Sequence, residues 1–250
     1  MKLGIAGYGY VGQAHEDALK GYHEIIVSDP YKKMYGNLKY ADAVIVCVST
    51  PQHESGACNI NNVYDVISEL DANVPILIKS TISLDGWLYI KDQFPYHKLT
   101  FSPEFLTAAN ALQDFKDNDT ILLGGDNTGF WSDIFVTAMG KINISIATPE
   151  ELILTKYFRN SYLAAKVTFF NQIYDLCENT GVDYEMVRKL VTHDPRIGES
   201  HSMISAERGY GGHCFPKDVK AIIHTADKYK TDMGILKHID SYNMAIRKTK

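Results

Sequence analysis

The sequence predicts an α/β protein: a parallel sheet in the N-terminal part, a long central helix, and a helical second domain. Three observations carry this. Short apolar runs, separated by helical patterns, recur from Lys2 to Gly124 and end in small polar or acidic residues. An uninterrupted helical pattern then extends from Thr148 to about Thr180, and no convincing strand follows Val182. The expected domains are residues 1–147 and residues 148–250.

The runs that read as strands are Lys2–Ala6, His23–Ser28, Ala43–Val48, Pro75–Lys79, Lys98–Ser102 and Thr120–Gly124. Several feed directly into polar residues: Asp29, Ser49-Thr50-Pro51, Ser80-Thr81 and Pro103-Glu104. A parallel sheet presents its ligand at that carboxyl edge. Helices are expected at Gln13–Gly21 and, after a loop rich in glycine and asparagine at residues 55–62, at Val63–Leu70. Between Tyr31 and Asp42 there is little room for a further strand and helix, so this half of the sheet is expected to be pared down. Thr148 suits a helix N-cap, Pro149 the first helical position, and Glu150 and Glu151 the positive end of the helix dipole, while Gly181 suits a stop.

Composition excludes several classes. The chain has 250 residues, 45% hydrophobic and 22% charged, with a formal net charge of −5. Nothing in that modest acidity argues for nucleic acid, and no nucleic-acid partner is expected. No apolar stretch approaches the roughly 18 to 20 residues of a membrane span, and no basic, apolar, small-residue leader opens the chain, so a cytoplasmic protein without a membrane partner is expected. Cys47, Cys58, Cys177 and Cys214 share no disulfide framework; Cys58 is expected in a polar loop, and all four are expected as reduced thiols.

Gly7-Tyr-Gly-Tyr-Val-Gly12 follows the first strand and opens the first helix, with an acid, Asp29, seventeen residues beyond Gly12. In this Rossmann-type arrangement Gly7 makes the tight turn and Gly9 lets a pyrophosphate approach the backbone. Gly12 lets helix pack on strand, and Tyr10 and Val11 lie in the turn. Asp29 at the end of the second strand accepts hydrogen bonds from a free ribose hydroxyl, which favours NAD over NADP. Lys32 and Lys33 follow it and can soften that preference.

The other chemistry-bearing stretch is Gly209-Tyr-Gly-Gly-His-Cys-Phe-Pro-Lys-Asp218. Glycines let a substrate approach the Cys214 sulfur, and Lys217 supplies a charge that favours thiolate. The same pattern also fits a packed cysteine in a turn. Lys156 and Asn160 lie four apart on one face of the central helix, which fits either a solvated face or a working pair. Glu104 at a strand end is a candidate general base. His193, His201, His213 and Cys214 match no structural zinc spacing, so no metal is expected.

Taken together, the ordered segments Gly7–Gly12, Asp29, Val48–Pro51, Lys79–Thr81, Ser102–Leu106, Lys156–Asn160, Asp194–Gly198 and Gly209–Asp218 resemble the UDP-glucose/GDP-mannose dehydrogenase family. Asn243 and Arg247 resemble the segment by which that family leaves its middle domain. The resemblance implies NAD-dependent oxidation of the C6 alcohol of a nucleotide sugar to the acid, with UDP-glucose as substrate. It makes Cys214 the nucleophile that holds the aldehyde between two oxidations and Glu104 the base that activates the releasing water. Lys156 would stabilise the developing oxyanion, with Asn160 and Asp218 positioning it or the water and the Thr81 hydroxyl in the same network. Thr50, Thr81 and Lys217 are implied cofactor contacts. Phe105, Leu106, Tyr210 and Gly211 are implied substrate contacts alongside Glu104, Lys156, Asn160 and Cys214. Tyr210 is expected to pack on the sugar nucleotide, Arg196 to reach the substrate of a neighbouring subunit, and the central helix to form a homodimer.

The pattern departs from the family in places. Ala108 stands where a second glutamate is usual and Thr120 where an arginine is usual; His213 is unusual beside the nucleophile; the stretch from Arg196 to Cys214 is longer than the family's by about two residues. The sequence reaches Lys250, where the family's third, nucleotide-binding domain would begin. A partner chain, the dimer and its loops, or a changed substrate would then account for the nucleotide side of the pocket. Two other readings keep much of this pattern: a two-electron hydroxyacid-type dehydrogenase that needs no thiol, and a catalytically silent binding partner of a full-length enzyme.

Overall fold

The computed structural model describes residues 1–53, 56–107 and 109–248. The chain forms two compact units, one comprising Met1–His53 and Cys58–Lys156, the other running from Tyr157 onward with Gly56 and Ala57. The change from one to the other falls inside the long helix.

The first unit is built on an eight-stranded sheet. Its strands are β1 (Lys2–Ala6), β2 (Glu24–Asp29), β3 (Met34–Tyr35), β4 (Ala43–Val46), β5 (Pro75–Ile78), β6 (Lys98–Phe101), β7 (Thr120–Gly125) and β8 (Asn143–Ile146). They lie in the order β3-β2-β1-β4-β5-β6-β7-β8. The order reverses at β1, which pairs in parallel with β2 (Leu3 opposite Ile25) and with β4 (Leu3 opposite Ala43). The crevice outside the carboxyl ends of β1 and β4 is therefore the switch point at which open α/β sheets bind ligands. All four residues of β4 are buried, as expected of a strand covered on both faces.

Two strands were not legible, and the sheet is not wholly parallel. β3 is a two-residue strand antiparallel to β2, flanked by single 3₁₀ turns at Pro30–Lys32 and Leu38–Tyr40, which is what the short segment after Asp29 has room for. β7 runs antiparallel to β6, and β8 extends the sheet as a largely exposed edge. Helices α1 (Tyr10–Leu19), α2 (Asn61–Ser68), α3 (Leu84–Gln93), α4 (Ala111–Asp117) and α5 (Thr128–Met139) cover the faces. Leu3, Ile45, Leu77, Phe115, Trp131 and Phe135 share one core on one side. α1 begins three residues earlier than its apolar pattern suggests, because the glycine turn itself feeds the first helical turn.

Helix α6 (Pro149–Thr180) has 32 residues, a length of about 48 Å at 1.5 Å per residue. Its start is a reciprocal capping box: Glu151 N–H donates to Thr148 Oγ1 at 3.3 Å and Thr148 N–H to the Glu151 carboxylate at 2.8 Å. Its end is a Schellman turn, with Val182 N–H donating to Cys177 O at 3.0 Å across Gly181, whose φ is 71°. The second unit, from Tyr157 on, contains helical elements only among the described residues: the rest of α6, then α7 (Tyr184–Thr192), α8 (Phe215–Lys228) and α9 (Gly234–Ile246). On α8, Val219, Ile222 and Ala226 are buried at helical spacing, and Ala164, Tyr210 and Val219 form a local core.

Candidate active site

The glycine turn occupies the switch point. A side chain at Gly7 would lie 2.7 Å from Cys47 O just beyond β4, and one at Gly12 would overlap Gly7 O. These two glycines let α1 close against β1. Gly9 differs: it is exposed, and a side chain there would meet nothing within 4 Å. Gly9 caps α1 without a side-chain hydrogen bond, and no acid stands in the first turn. Open space before backbone N–H groups at a helix start fits a pyrophosphate, so the residues present suit NAD. Tyr10 is exposed and Val11 partly buried there. Asp29 closes the turn, accepting from Tyr8 N–H at 2.7 Å and from Lys32 N–H at 3.2 Å. Its carboxylate is thus fixed at the end of β2, where a cofactor ribose is read.

Further along the sheet edge lies a buried ionic cluster. Lys79, just beyond β5, puts its ammonium 3.1 Å from Glu104 Oε2 and donates to Ser102 Oγ at 2.9 Å. Glu104 Oε1 accepts from Phe105 N–H at 2.9 Å. Burial by itself pushes the Glu104 carboxyl up, but Lys79 chiefly, with His15 and the Phe105 N–H, more than offsets this and holds it below the usual glutamate range. Lys156 on α6 donates to the Glu104 carbonyl, and its ammonium lies 5.2 Å from the Phe105 ring centre. Leu106 is buried beside them, Thr50 is buried, and Thr81 is half-buried with its carbonyl accepting the Cys58 thiol at 3.3 Å. Ala108 lies outside the described residues. Thr120 opens β7.

His15 on α1 is fully buried. Its Nδ1 donates to Val11 O at 2.9 Å, its Nε2 meets no hydrogen-bond partner, and Phe115 lies edge-on to its ring. Burial, helped by the nearby Lys79 charge, lowers its pKa to about 4, so it is neutral at ordinary pH. Burial likewise pushes the Cys47 thiol up to about 12, which makes it inert.

In the second unit Cys214 is the partly buried N-cap of α8, with Pro216 in the first turn. The sulfur therefore sits at the positive end of a helix. Asp218, one turn on, is buried; its N–H donates to Cys214 O at 2.8 Å. Its carboxylate accepts from Asn160 Nδ2 at 2.5 Å and from Lys217 Nζ at 2.6 Å. Asn160, Asp218, Lys217 and the Cys214 backbone thus form one network, and the Lys217 charge is balanced by Asp218 rather than left free for the thiol. His213 is exposed.

The loop before Cys214 is gripped from two helices. Asn171 Oδ1 on α6 accepts from Gly209 N–H at 3.1 Å, and Asn243 on α9 accepts from Tyr210 N–H at 2.7 Å while donating to Tyr210 O at 3.1 Å. A side chain at Gly211 would overlap the Arg247 guanidinium as it stands, so Arg247 would have to move to admit one. The Tyr210 ring is 2% exposed and its hydroxyl donates to Asp240 at 2.8 Å, which anchors the loop in the helical core. Cys58 lies in the polar loop between β4 and α2, with its side chain buried. All four cysteines are free thiols. Arg196 is highly exposed and paired with Asp194 at 2.5 Å. Among the described residues no group of three or more His, Cys, Asp or Glu is placed to hold a metal ion, and no helix is long and apolar enough to cross a membrane.

A glycine turn at a switch point and a thiol at a helix start define the class: a dinucleotide-binding α/β domain followed by a thiol-bearing helical domain. Comparison with known proteins agrees. Residues 30–133 match the NAD binding domain, and residues 151–245 the central domain, of the UDP-glucose/GDP-mannose dehydrogenase family. The chain belongs to that family. It is similar to the UDP-glucose 6-dehydrogenases of Rickettsia felis, 32% identical over 85% of this chain and 50% of that protein, and Pseudomonas aeruginosa, 31% identical over 81% and 48%. It therefore spans about half the length of the curated relatives it matches. Its fold is that of a UDP-glucose dehydrogenase from Pyrobaculum islandicum, with a TM-score of 0.85 at 23% identity over 98% of this chain and 68% of that one.

Proposed function

We propose that the protein is an NAD-dependent nucleotide-sugar 6-dehydrogenase that oxidises UDP-glucose to UDP-glucuronate. The observation that carries this is Cys214 at the start of α8, bound into one network with Asp218 and Asn160 on a loop whose backbone is fixed. Taking an alcohol to an acid removes two hydrides from one carbon, so the aldehyde must be held between them. When bound, NAD supplies the acceptor for each hydride.

Within this reading the Cys214 sulfur adds to the aldehyde carbon as a thiohemiacetal, and loss of the second hydride leaves a thioester. Glu104 takes a proton from the water that cleaves it, returning the thiol and releasing the acid. Lys156, already fixed to the Glu104 carbonyl, is assigned to the oxyanion that forms in each addition. Asp29 and the glycine turn hold the cofactor, with Thr50, Thr81 and Lys217 as further contacts. The test is the yield of NADH from UDP-glucose: two per sugar are expected, one would point to an oxidation that stops at the aldehyde, and none with any sugar nucleotide would remove the reading.

The same reading makes the chain a homodimer through α6. Tyr162 and Phe169 are exposed on that helix and, with Ile235 and Ile239 of α9, line an apolar groove of about 790 Å³. Sedimentation at the mass of a single 28.1 kDa chain would set this part aside.

A further inference from the structure

We propose that Lys79 is a positioning residue for release of the acid: its buried ammonium fixes both the orientation and the charge of the Glu104 carboxylate. The inference rests on the role given above to Glu104. Lys79 reads on the sequence as one lysine ending an apolar strand, yet its side chain is only 1% exposed. Its ammonium has Glu104 Oε2 at 3.1 Å, Ser102 Oγ at 2.9 Å and Pro103 O at 3.4 Å, acceptors enough for its three N–H groups. With Phe105 N–H on Oε1, both oxygens of Glu104 are tied, which leaves the carboxylate one orientation.

Stability alone does not call for this pair. Replacing a buried ion pair by apolar groups of similar size is often neutral or favourable, because desolvation cancels the attraction. Other titratable groups of the same unit act on Glu104. His15 on α1 also favours the carboxylate but makes no hydrogen bond to it, Cys47 beyond β4 is a partly buried thiol, and Lys156 on α6 donates to the Glu104 carbonyl. The charge that pairs directly with the carboxylate is that of Lys79. Without it, burial is the largest influence left, and it favours the protonated acid, which cannot accept a proton from water.

The test compares wild type with Lys79→Met in protein carrying ¹³C-carboxyl glutamate, with the Glu104 resonance assigned by its loss in Glu104→Gln. Glu104 should titrate below the ordinary glutamate range in wild type and above it in Lys79→Met. Decay of the acyl adduct on Cys214, followed by intact mass, should slow roughly tenfold or more near pH 7 and recover as pH rises. Lys79→Arg should restore part of the rate. An unchanged Glu104 titration, or slowing equal at every pH, would overturn the proposal. If wild type forms no acyl adduct, the proposed reaction fails, and the role of Lys79 in acid release fails with it. The titration then still shows separately whether Lys79 sets the Glu104 charge. Should Lys79→Met be too unstable for spectroscopy, its melting temperature must rise as pH falls, since its Glu104 would fold best protonated; a flat profile counts against the proposal.

Discussion

Cys214→Ser is expected to reduce formation of the second NADH per UDP-glucose, and of the acid, on the order of a thousandfold or more, with folding and NAD binding intact. The sulfur stands at the N-cap of α8, where its backbone carbonyl already serves the helix through Asp218 N–H. Serine fits that cap at least as well as cysteine, so stability should change by no more than about 1 kcal/mol. NAD affinity should not move, because the substitution leaves the glycine turn, Asp29 and Lys217 unchanged. What changes is chemistry: an alcohol is a far weaker nucleophile than a thiol near neutral pH, so the aldehyde is no longer held for its second oxidation. Stopped-flow NADH absorbance, with intact mass after quenching, would check this. A variant that still yields two NADH per sugar at near wild-type rate would remove Cys214 from the mechanism.

The sequence displayed some features clearly for physical reasons. Gly7, Gly12 and Asp29 are tied to a local turn whose geometry admits few residues, and the turn in the structure is the one their spacing describes. The cap at Thr148 and the stop at Gly181 are equally local and show at both ends of α6. The two-residue β3 and the exposed edge β8 are too short or too polar to leave a periodic signal. The Lys79–Glu104 pair is a contact between residues 25 positions apart whose partner is set by strand order, and strand order is a property of the whole sheet. One signal was present: a lysine closing the apolar run Pro75–Ile78 is costly to bury and so requires an acid. The anchoring of Tyr210 is equally hidden, because Asp240 and Asn243, which hold its hydroxyl and its backbone, come thirty and more residues later.

Glu104→Gln should separate oxidation from release. The amide keeps the size of the side chain and can still accept from Phe105 N–H, but it is no longer basic enough to take a proton from water. Losing a general base costs on the order of 10² to 10⁴ in the step it serves. The expected result is therefore a rapid burst of two NADH per active site, followed by turnover slowed by that factor, with an acyl adduct accumulating on Cys214 and visible by intact mass. The substitution also leaves the Lys79 ammonium buried without its carboxylate, which typically costs about 3–5 kcal/mol, so the assay belongs well below the variant's melting temperature. The pH dependence fixes the sign. Because the Glu104 carboxyl is held below the usual range in the folded protein, its stabilising charge is fully present above the ordinary glutamate pKa and is lost only as pH falls through the depressed value. Wild type should accordingly lose melting temperature on acidification through that window, and Glu104→Gln should show less of this loss. A burst without an adduct, or an adduct that decays at the wild-type rate, would assign the water-activating role to another residue.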